Sequence, residues 1–170
     1  MKTCATLIVL LLLTTVCAAQ QTMTIKVYFS NNKKGFDDCA KVEPVARTIP
    51  KTSAVAKAAL EQLLAGPTEQ ERAQGYFSWF SQDTKSALLG VKVKNKTAYV
   101  NLKDIRQTIT SASSSCGSTI LMAQLENTLK QFPSIKRAFF AIEGSPEEFY
   151  GFQQMECPRE LKNCDRSNFK

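Results

Sequence analysis

The chain carries two kinds of apolar periodicity, and the shorter one is the alternation typical of strands buried on one face. This alternation predicts strands over residues 24–30, 89–94 and 98–102. The last two flank Asn95-Lys96, which predicts a hairpin turn between them. Residues 135–142 are rich in apolar and aromatic side chains, which predicts a strand covered on both faces in a sheet interior.

Apolar residues at helical spacing predict two amphipathic helices. The first begins after a candidate N-cap, Thr52 or Ser53, and ends at Gly66-Pro67. The second has leucines at every fourth position and ends before Pro133. Between the two helices, residues 68–71 have the spacing of a capping box, so a short additional helical turn is expected there.

Residues 31–50 form a long segment rich in turn-forming residues, with Cys39 near its middle. Pro44 and Pro50 are expected to block regular structure in it. An irregular connection of this length is unusual in a compact domain, so we expect it to be functional or tied down by its cysteine.

The order of these elements predicts a single α+β domain of the β-α-β-β-α-β type over residues 24–144. The two amphipathic helices need a sheet against which to bury their apolar faces, so both are expected on one face of a four-stranded sheet. Residues 145–170 follow the last predicted strand and are expected to form a tail outside this domain, clipped by Cys157 and Cys164.

The N-terminus has the features of a signal peptide over residues 1–19. A basic start is followed by the apolar run 5–16 and by the small-residue segment Cys17-Ala18-Ala19. The apolar run is shorter than the roughly 20 residues that span a bilayer, which argues against a membrane anchor. Val16 argues against acylation of Cys17, because a small residue is wanted before a lipidated cysteine. The predicted location is secreted or extracytoplasmic, with no membrane span.

The net charge is +7, from 22 basic and 15 acidic residues, and it falls to +6 when Lys2 leaves with the leader. An excess of positive charge favours anionic partners, such as cell-envelope polymers, lipid headgroups or acidic proteins. The alternative interpretation is that the excess charge simply keeps the protein soluble. Nucleic acid is not expected as a partner, because an exported protein meets little of it.

Four cysteines remain after removal of the leader, and an even number in an oxidising compartment indicates two disulfides with three conceivable pairings. They are Cys39, Cys116, Cys157 and Cys164. A zinc site is disfavoured because the chain has no histidine and because the cysteine spacing does not fit one.

Catalysis finds little support in the residue types present. Histidine, the commonest proton-transfer group near neutral pH, is absent. The adjacent carboxylates Asp37-Asp38 and Glu147-Glu148 are interpreted as solvated surface, since neighbouring side chains usually point apart. No phosphate-binding glycine loop or nucleophile elbow occurs. We therefore predict no catalytic residue, no metal and no cofactor.

Two short segments are candidates for surface functions. Phe77, Trp79 and Phe80 form a dense aromatic group, which is either a binding surface or part of the core under the hairpin. Asn95-Lys96-Thr97 is an N-glycosylation acceptor at the predicted hairpin tip, so Asn95 is expected to be exposed.

Several separate segments, in the same order, resemble the GerMN domain family over about residues 24–144. One of them is Asp38-Cys39-Ala40-Lys41-Val42-Glu43-Pro44-Val45, and the others lie at 47–52, 58–68, 75–77, 97–100, 115–116 and 129–133. The resemblance implies a compact exported domain similar to the ring-building modules of secretion and sporulation assemblies, with no catalytic residues. The chain departs from the family pattern at 78–81 and at 117–119.

Together these features predict an exported, non-catalytic binding or assembly module. Its partner is expected to be a protein, an anionic cell-envelope polymer or a second copy of the chain. The alternative is a small secreted hydrolase or hydrolase inhibitor that acts at the same surface. The disulfides are predicted to join Cys39 to Cys116 and Cys157 to Cys164.

Overall fold

The computed structural model describes residues 20–35, 37–158 and 162–170. The predicted signal peptide, residues 1–19, lies outside the described residues. The described strands are β1 (Thr22–Asn31), β2 (Glu43–Pro50), β3 (Tyr76–Phe77), β4 (Leu88–Lys94), β5 (Thr97–Leu102) and β6 (Arg137–Ile142). The described α-helices are α1 (Val55–Leu64), α2 (Glu69–Ala73), α3 (Ser115–Lys130) and α4 (Pro146–Phe152). Among the described residues, every helix is too short or too polar to cross a membrane.

Within the described residues, the strands form two three-stranded sheets, ordered β2-β1-β3 and β4-β5-β6. β1 is antiparallel to both of its neighbours, whereas β5 is antiparallel to β4 and parallel to β6. The α+β class is confirmed, but the single four-stranded sheet is wrong. Both long helices, α1 and α3, pack against β1 and against each other.

The sheet divides because side chains of α3 occupy the second edge of β1. The Lys26 amide donates to Gln131 Oε1 at 2.9 Å, and the Tyr28 amide donates to Thr128 Oγ1 at 3.1 Å. Gln131 Nε2 also donates to the Lys26 carbonyl at 2.6 Å. These bonds satisfy the backbone groups that a neighbouring strand would need, so β1 does not pair with β6 along this stretch.

β2 corrects the prediction that Pro44 and Pro50 keep residues 31–50 irregular. Pro44 pairs with Tyr28 in the register of the two strands. Since the Tyr28 amide points toward α3, antiparallel geometry directs the backbone of Pro44 away from β1 as well. Pro50 lies an even number of residues further along and shares that direction. Their missing amides therefore cost no ladder bond at this sheet edge.

The helix start predicted at residues 68–71 is confirmed, but the N-cap predicted for α1 is wrong. The capping box at α2 is confirmed, because the Glu71 amide donates to Thr68 Oγ1 at 3.2 Å and the Thr68 amide donates to Glu71 Oε2 at 2.7 Å. At α1 the N-cap is Ala54, which makes no side-chain cap bond. Thr52 Oγ1 instead accepts a bond from the Ala54 amide at 3.0 Å, so neither Thr52 nor Ser53 is the N-cap.

A largely buried ion pair connects β2 to the turn between α1 and α2. Arg47 Nη2 donates to Glu71 Oε2 at 2.5 Å and to the Gly66 carbonyl at 3.0 Å. Its guanidinium carbon lies 5.6 Å from the centre of the Phe29 ring. Because Arg47 bonds several acceptors at once, removing it would leave the Glu71 carboxylate without its cationic partner and the Gly66 carbonyl without this donor.

One hydrophobic core runs through both sheets and includes part of the segment predicted to lie outside the domain. Its buried members include Val27, Phe29, Leu60, Leu63, Val100, Leu102, Leu121, Leu125, Phe140, Phe149, Tyr150 and Phe169. Phe149 and Tyr150 come from α4, which packs on β6, and burial raises the pKa of the Tyr150 phenol. The predicted boundary after residue 144 therefore does not coincide with the edge of the core.

The hairpin of β4 and β5 is confirmed. Asn95 and Lys96 form its turn with positive φ angles of 50° and 59°, and both side chains are exposed. Asparagine tolerates this left-handed conformation better than most residues, which explains why the turn forms without glycine. The expected exposure of Asn95 is confirmed, whereas its glycosylation stays a prediction.

Candidate functional site

The aromatic segment, residues 76–80, lies between β1 and the first half of α3. Phe80 is 1 % exposed and belongs to the core. Phe77 and Trp79 are half-buried, and their rings meet edge to face with centroids 4.9 Å apart. The structure therefore separates the predicted aromatic group into one core residue and a pair that still reaches the surface.

Hydrogen bonds to α3 hold this pair in place. Trp79 Nε1 donates to the Gly117 carbonyl at 3.1 Å. Gln124, which is fully buried, donates to the Phe77 carbonyl at 3.0 Å and accepts a bond from Ser78 Oγ at 2.6 Å. The segment is thus anchored by polar contacts on both sides of the ring pair, which limits its movement.

The two departures from the family pattern, at 78–81 and 117–119, contact each other through the bond from Trp79 to Gly117. A Cβ atom on Gly117 would lie only 2.2 Å from the Ser111 carbonyl oxygen, so the close approach requires glycine. Next to it, Cys116 is bonded to Cys39. The long loop after β1 is therefore fastened to the same turn of α3 that holds Trp79.

A second surface lies on the outer face of the hairpin, where the C-terminal residues cross it. Two cavities of about 250 and 300 Å³ share Tyr99 and Asn168 in their linings. Lys94 and Lys162 line the first cavity, and Lys92 and Lys170 line the second. We call the surface defined by these four lysines, Tyr99 and Asn168 the lysine groove.

The far wall of the lysine groove is the 3₁₀ turn Arg166–Phe169. The buried Phe169 ring meets Tyr99 edge to face with centroids 5.6 Å apart, and Asn101 Nδ2 donates to the Phe169 carbonyl at 3.2 Å. The structure also contains the predicted bond between Cys157 and Cys164, which closes the loop just before this turn. Sequence analysis missed the groove because its walls come from distant parts of the chain.

The carboxylates of Glu147 and Glu148 are engaged in separate ion pairs. Glu147 contacts Arg166 at 3.2 Å, and Glu148 contacts Arg106 at 2.6 Å. A bond to its own backbone amide, with help from Ser145 and Arg166, lowers the pKa of Glu147. The two groups lie at the start of α4, where negative charge is favourable, and they do not form a cooperating acid pair.

Asp38 stabilises the loop that contains it, because its Oδ1 accepts a hydrogen bond from the Ala40 amide at 2.8 Å. Asp104 pairs with Arg106, whose side-chain hydrogen bond lowers the pKa of that carboxyl. In the described part of the chain, no group of three or more cysteine, aspartate or glutamate side chains is placed to hold a metal ion.

Comparison with protein families identifies the class of domain. The family model "Germane: Sporulation and spore germination" matches residues 26–148. The chain therefore belongs to this family, and the predicted resemblance to GerMN domains is confirmed. The match ends near the start of α4, so the C-terminal wall of the lysine groove lies beyond the part that the family model describes.

Two solved structures match part of this chain. The tandem GerMN domains of the sporulation protein GerM from Bacillus subtilis match with a TM-score of 0.53 and 22 % identity, over 73 % of this chain and 40 % of that one. The first GerMN domain of the same protein matches with a TM-score of 0.49 and 24 % identity, over 72 % of this chain and 84 % of that one. At 22 % identity, the likeness to the tandem domains shows the fold alone. No curated protein matches the chain.

Proposed function

We propose that this protein is an exported, non-catalytic binding or assembly module whose partner is a protein or an anionic cell-envelope polymer. The observation that carries the proposal is the half-buried pair of Phe77 and Trp79, fixed on a scaffold of the Germane family. Aromatic side chains that are held rigid supply contact area at a low entropy cost, which suits recognition.

The polar groups support binding rather than chemistry. Glu147 and Glu148 are each committed to a different arginine, and Asp104 is committed to Arg106. A general acid or base has to reach a substrate atom with its proton-transfer group free to act. Glu147 and Glu148 instead connect α4 to neighbouring segments, and Asp104 pairs within its own loop.

Export is supported by the covalent structure. Disulfides persist in oxidising compartments, and the chain contains one between Cys39 and Cys116 and one between Cys157 and Cys164. Crossing a membrane with the help of residues 1–19 would bring the cysteines into such a compartment.

Site-specific photocross-linking in the native extracellular fraction tests the proposal. A benzophenone amino acid at Phe77 should give a discrete cross-linked species, because this position is next to Trp79 at the surface. The matched control carries the same group at Ser53, which is exposed in the segment before α1. Identical products from both positions, or none from Phe77, would contradict a binding role for the aromatic pair.

Turnover measurements test the non-catalytic part separately. The purified protein with both disulfides intact should not hydrolyse peptide, ester or glycan substrates above the buffer rate. Turnover that survives purification, and that disappears when one side chain is changed, would favour the secreted hydrolase instead.

A further inference from the structure

The lysine groove is an extended channel. Its two cavities share Tyr99 and Asn168 and together extend along β4 from Leu89 into the hairpin turn at Asn95. A strand rises about 3.3 Å per residue, so the channel is about 20 Å long. Such a length fits several units of a linear molecule better than one small ligand.

Its charges lie in a row. Lys92 and Lys94 are two residues apart on β4 and pair with Tyr99 and Thr97 of β5, so they project from the same face of the sheet about 7 Å apart. Lys162 and Lys170 stand on the opposite wall. Among the described residues, none of these four lysines forms an ion pair.

Among the described lining residues, the single side-chain carboxylate in the groove offsets one of these four positive charges. Asp165 is the carboxylate that lines it, and Asp165 Oδ1 accepts a bond from the Ser167 amide at 2.8 Å. That backbone bond lowers the pKa of Asp165 and keeps the group ionised as the cap of the 3₁₀ turn. Counted over the described lining residues, the four lysines and Asp165 leave a net side-chain charge of three positive units.

More positive charge continues past the hairpin turn. The Lys96 carbonyl accepts bonds from the Lys136 amide at 2.8 Å and the Arg137 amide at 3.2 Å. All three of these side chains are exposed. A polyanion that leaves the groove at the Asn95 end would therefore meet further cations.

We propose that the lysine groove binds a linear, phosphate-bearing polymer of the cell envelope, with one charged unit facing each pair of lysines. This inference rests on the proposed binding function and names its ligand and surface. Lysine ammonium groups act as compact point charges and are common ligands of phosphate oxygens, whereas the arginine fork binds carboxylate and phosphate alike. The Arg166 side chain in the neighbouring turn is already paired with Glu147.

Calorimetric titration of the disulfide-bonded protein tests the ligand. The probe is lipid-free poly(glycerol phosphate), compared at equal charge with polygalacturonate, inorganic phosphate and vesicles of anionic phospholipid. We expect the phosphate polymer to bind most tightly and binding to weaken as salt rises, because exposed charge contacts are screened. Equal or tighter binding of polygalacturonate, or binding to vesicles alone, would overturn the assignment.

Matched charge variants test the surface. Lys92→Gln with Lys94→Gln should weaken binding of the phosphate polymer by about tenfold. The control, Lys26→Gln with Lys41→Gln, removes the same charge from exposed positions on β1 and the following loop and should bind as the parent does. Lys162→Gln, on the opposite wall, should weaken binding by a few-fold.

Two results of these titrations would overturn the groove proposal. Equal loss in the groove pair and the control pair would mean that net charge alone attracts the polymer, and the groove proposal would fail. No binding of any polyanion would overturn it as well. Neither failure touches the cross-link expected at Phe77, so the proposed binding function is judged independently.

Discussion

The aromatic segment and the lysine groove are the two candidate surfaces, and they are built in opposite ways. The aromatic segment is a short run of adjacent residues whose side chains are largely used for packing and for bonds to α3. The groove is assembled from β4, β5 and residues 162–170, and none of its four lysines forms an ion pair within the described residues. Folding buries apolar side chains, whereas lysine side chains usually stay in contact with solvent. The aromatic segment is easier to recognise in the sequence, but the lysine groove has more side chains that a ligand can reach.

Each surface is also supported by its own disulfide, and this gives the largest expected effect. Cys39→Ser with Cys116→Ser should lower the free energy of unfolding by about 4 to 5 kcal/mol, because the bond closes a long loop in the unfolded chain. Denaturant unfolding measures it, and non-reducing peptide mapping of the parent protein verifies the pairing. Cys157→Ser with Cys164→Ser is the control, with an expected loss of about 2 kcal/mol for the shorter loop. If both variants lost the same free energy of unfolding, the two disulfides would stabilise the fold equally, which contradicts this expectation.

Phe80→Ala should cost about 3 to 4 kcal/mol, because a fully buried ring leaves a cavity among packed neighbours. Thermal and denaturant unfolding would show it. Phe77→Ala is the comparison within the same segment and should cost clearly less, since Phe77 is half-buried. If both variants lost the same stability, the aromatic segment would be core throughout and would no longer qualify as a surface.

Trp79→Phe should lower stability by about 1 to 2 kcal/mol, because the Gly117 carbonyl loses its indole donor while most of the ring packing stays. The same variant should weaken the cross-link at Phe77 if the pair acts as one contact. Stability that falls while cross-linking is unchanged would show that Trp79 is a structural anchor only.

The smallest expected effect on stability belongs to the groove. Lys92→Gln with Lys94→Gln should change the free energy of unfolding by no more than about 0.5 kcal/mol, since exposed lysines without ion pairs contribute little. Circular dichroism and denaturant titration measure it. A larger loss would mean that the aliphatic parts of the two lysine side chains stabilise the hairpin. The lysine groove would then have a structural role, as the aromatic segment does.

Much of the local structure follows from residues close together in the sequence. The capping box of Thr68 and Glu71, the turn at Asn95-Lys96 and the strand alternation in β1 and β5 all form as their patterns predict. These signals work because the interacting groups are a few residues apart, so chain geometry alone brings them together.

The errors occur where the partner is remote. Pro44 was expected to prevent a strand, yet β2 forms because its backbone faces the open edge. That orientation follows from the register with β1, whose other edge is bonded by Thr128 and Gln131 from about a hundred positions away. Residues 145–170 were assigned to a tail, but Phe149 and Phe169 find buried places in the core.

The sequence by itself determined the kinds of element, the α+β class and the family, because each depends on local periodicity or on motifs in a recognisable order. Only the tertiary structure decided that the strands divide into two sheets, that Phe80 is core while Phe77 and Trp79 reach the surface, and that lysines from β4 and residues 162–170 share one groove. Burial and charge proximity are properties of packed neighbours, and the chain brings those neighbours together only after it folds.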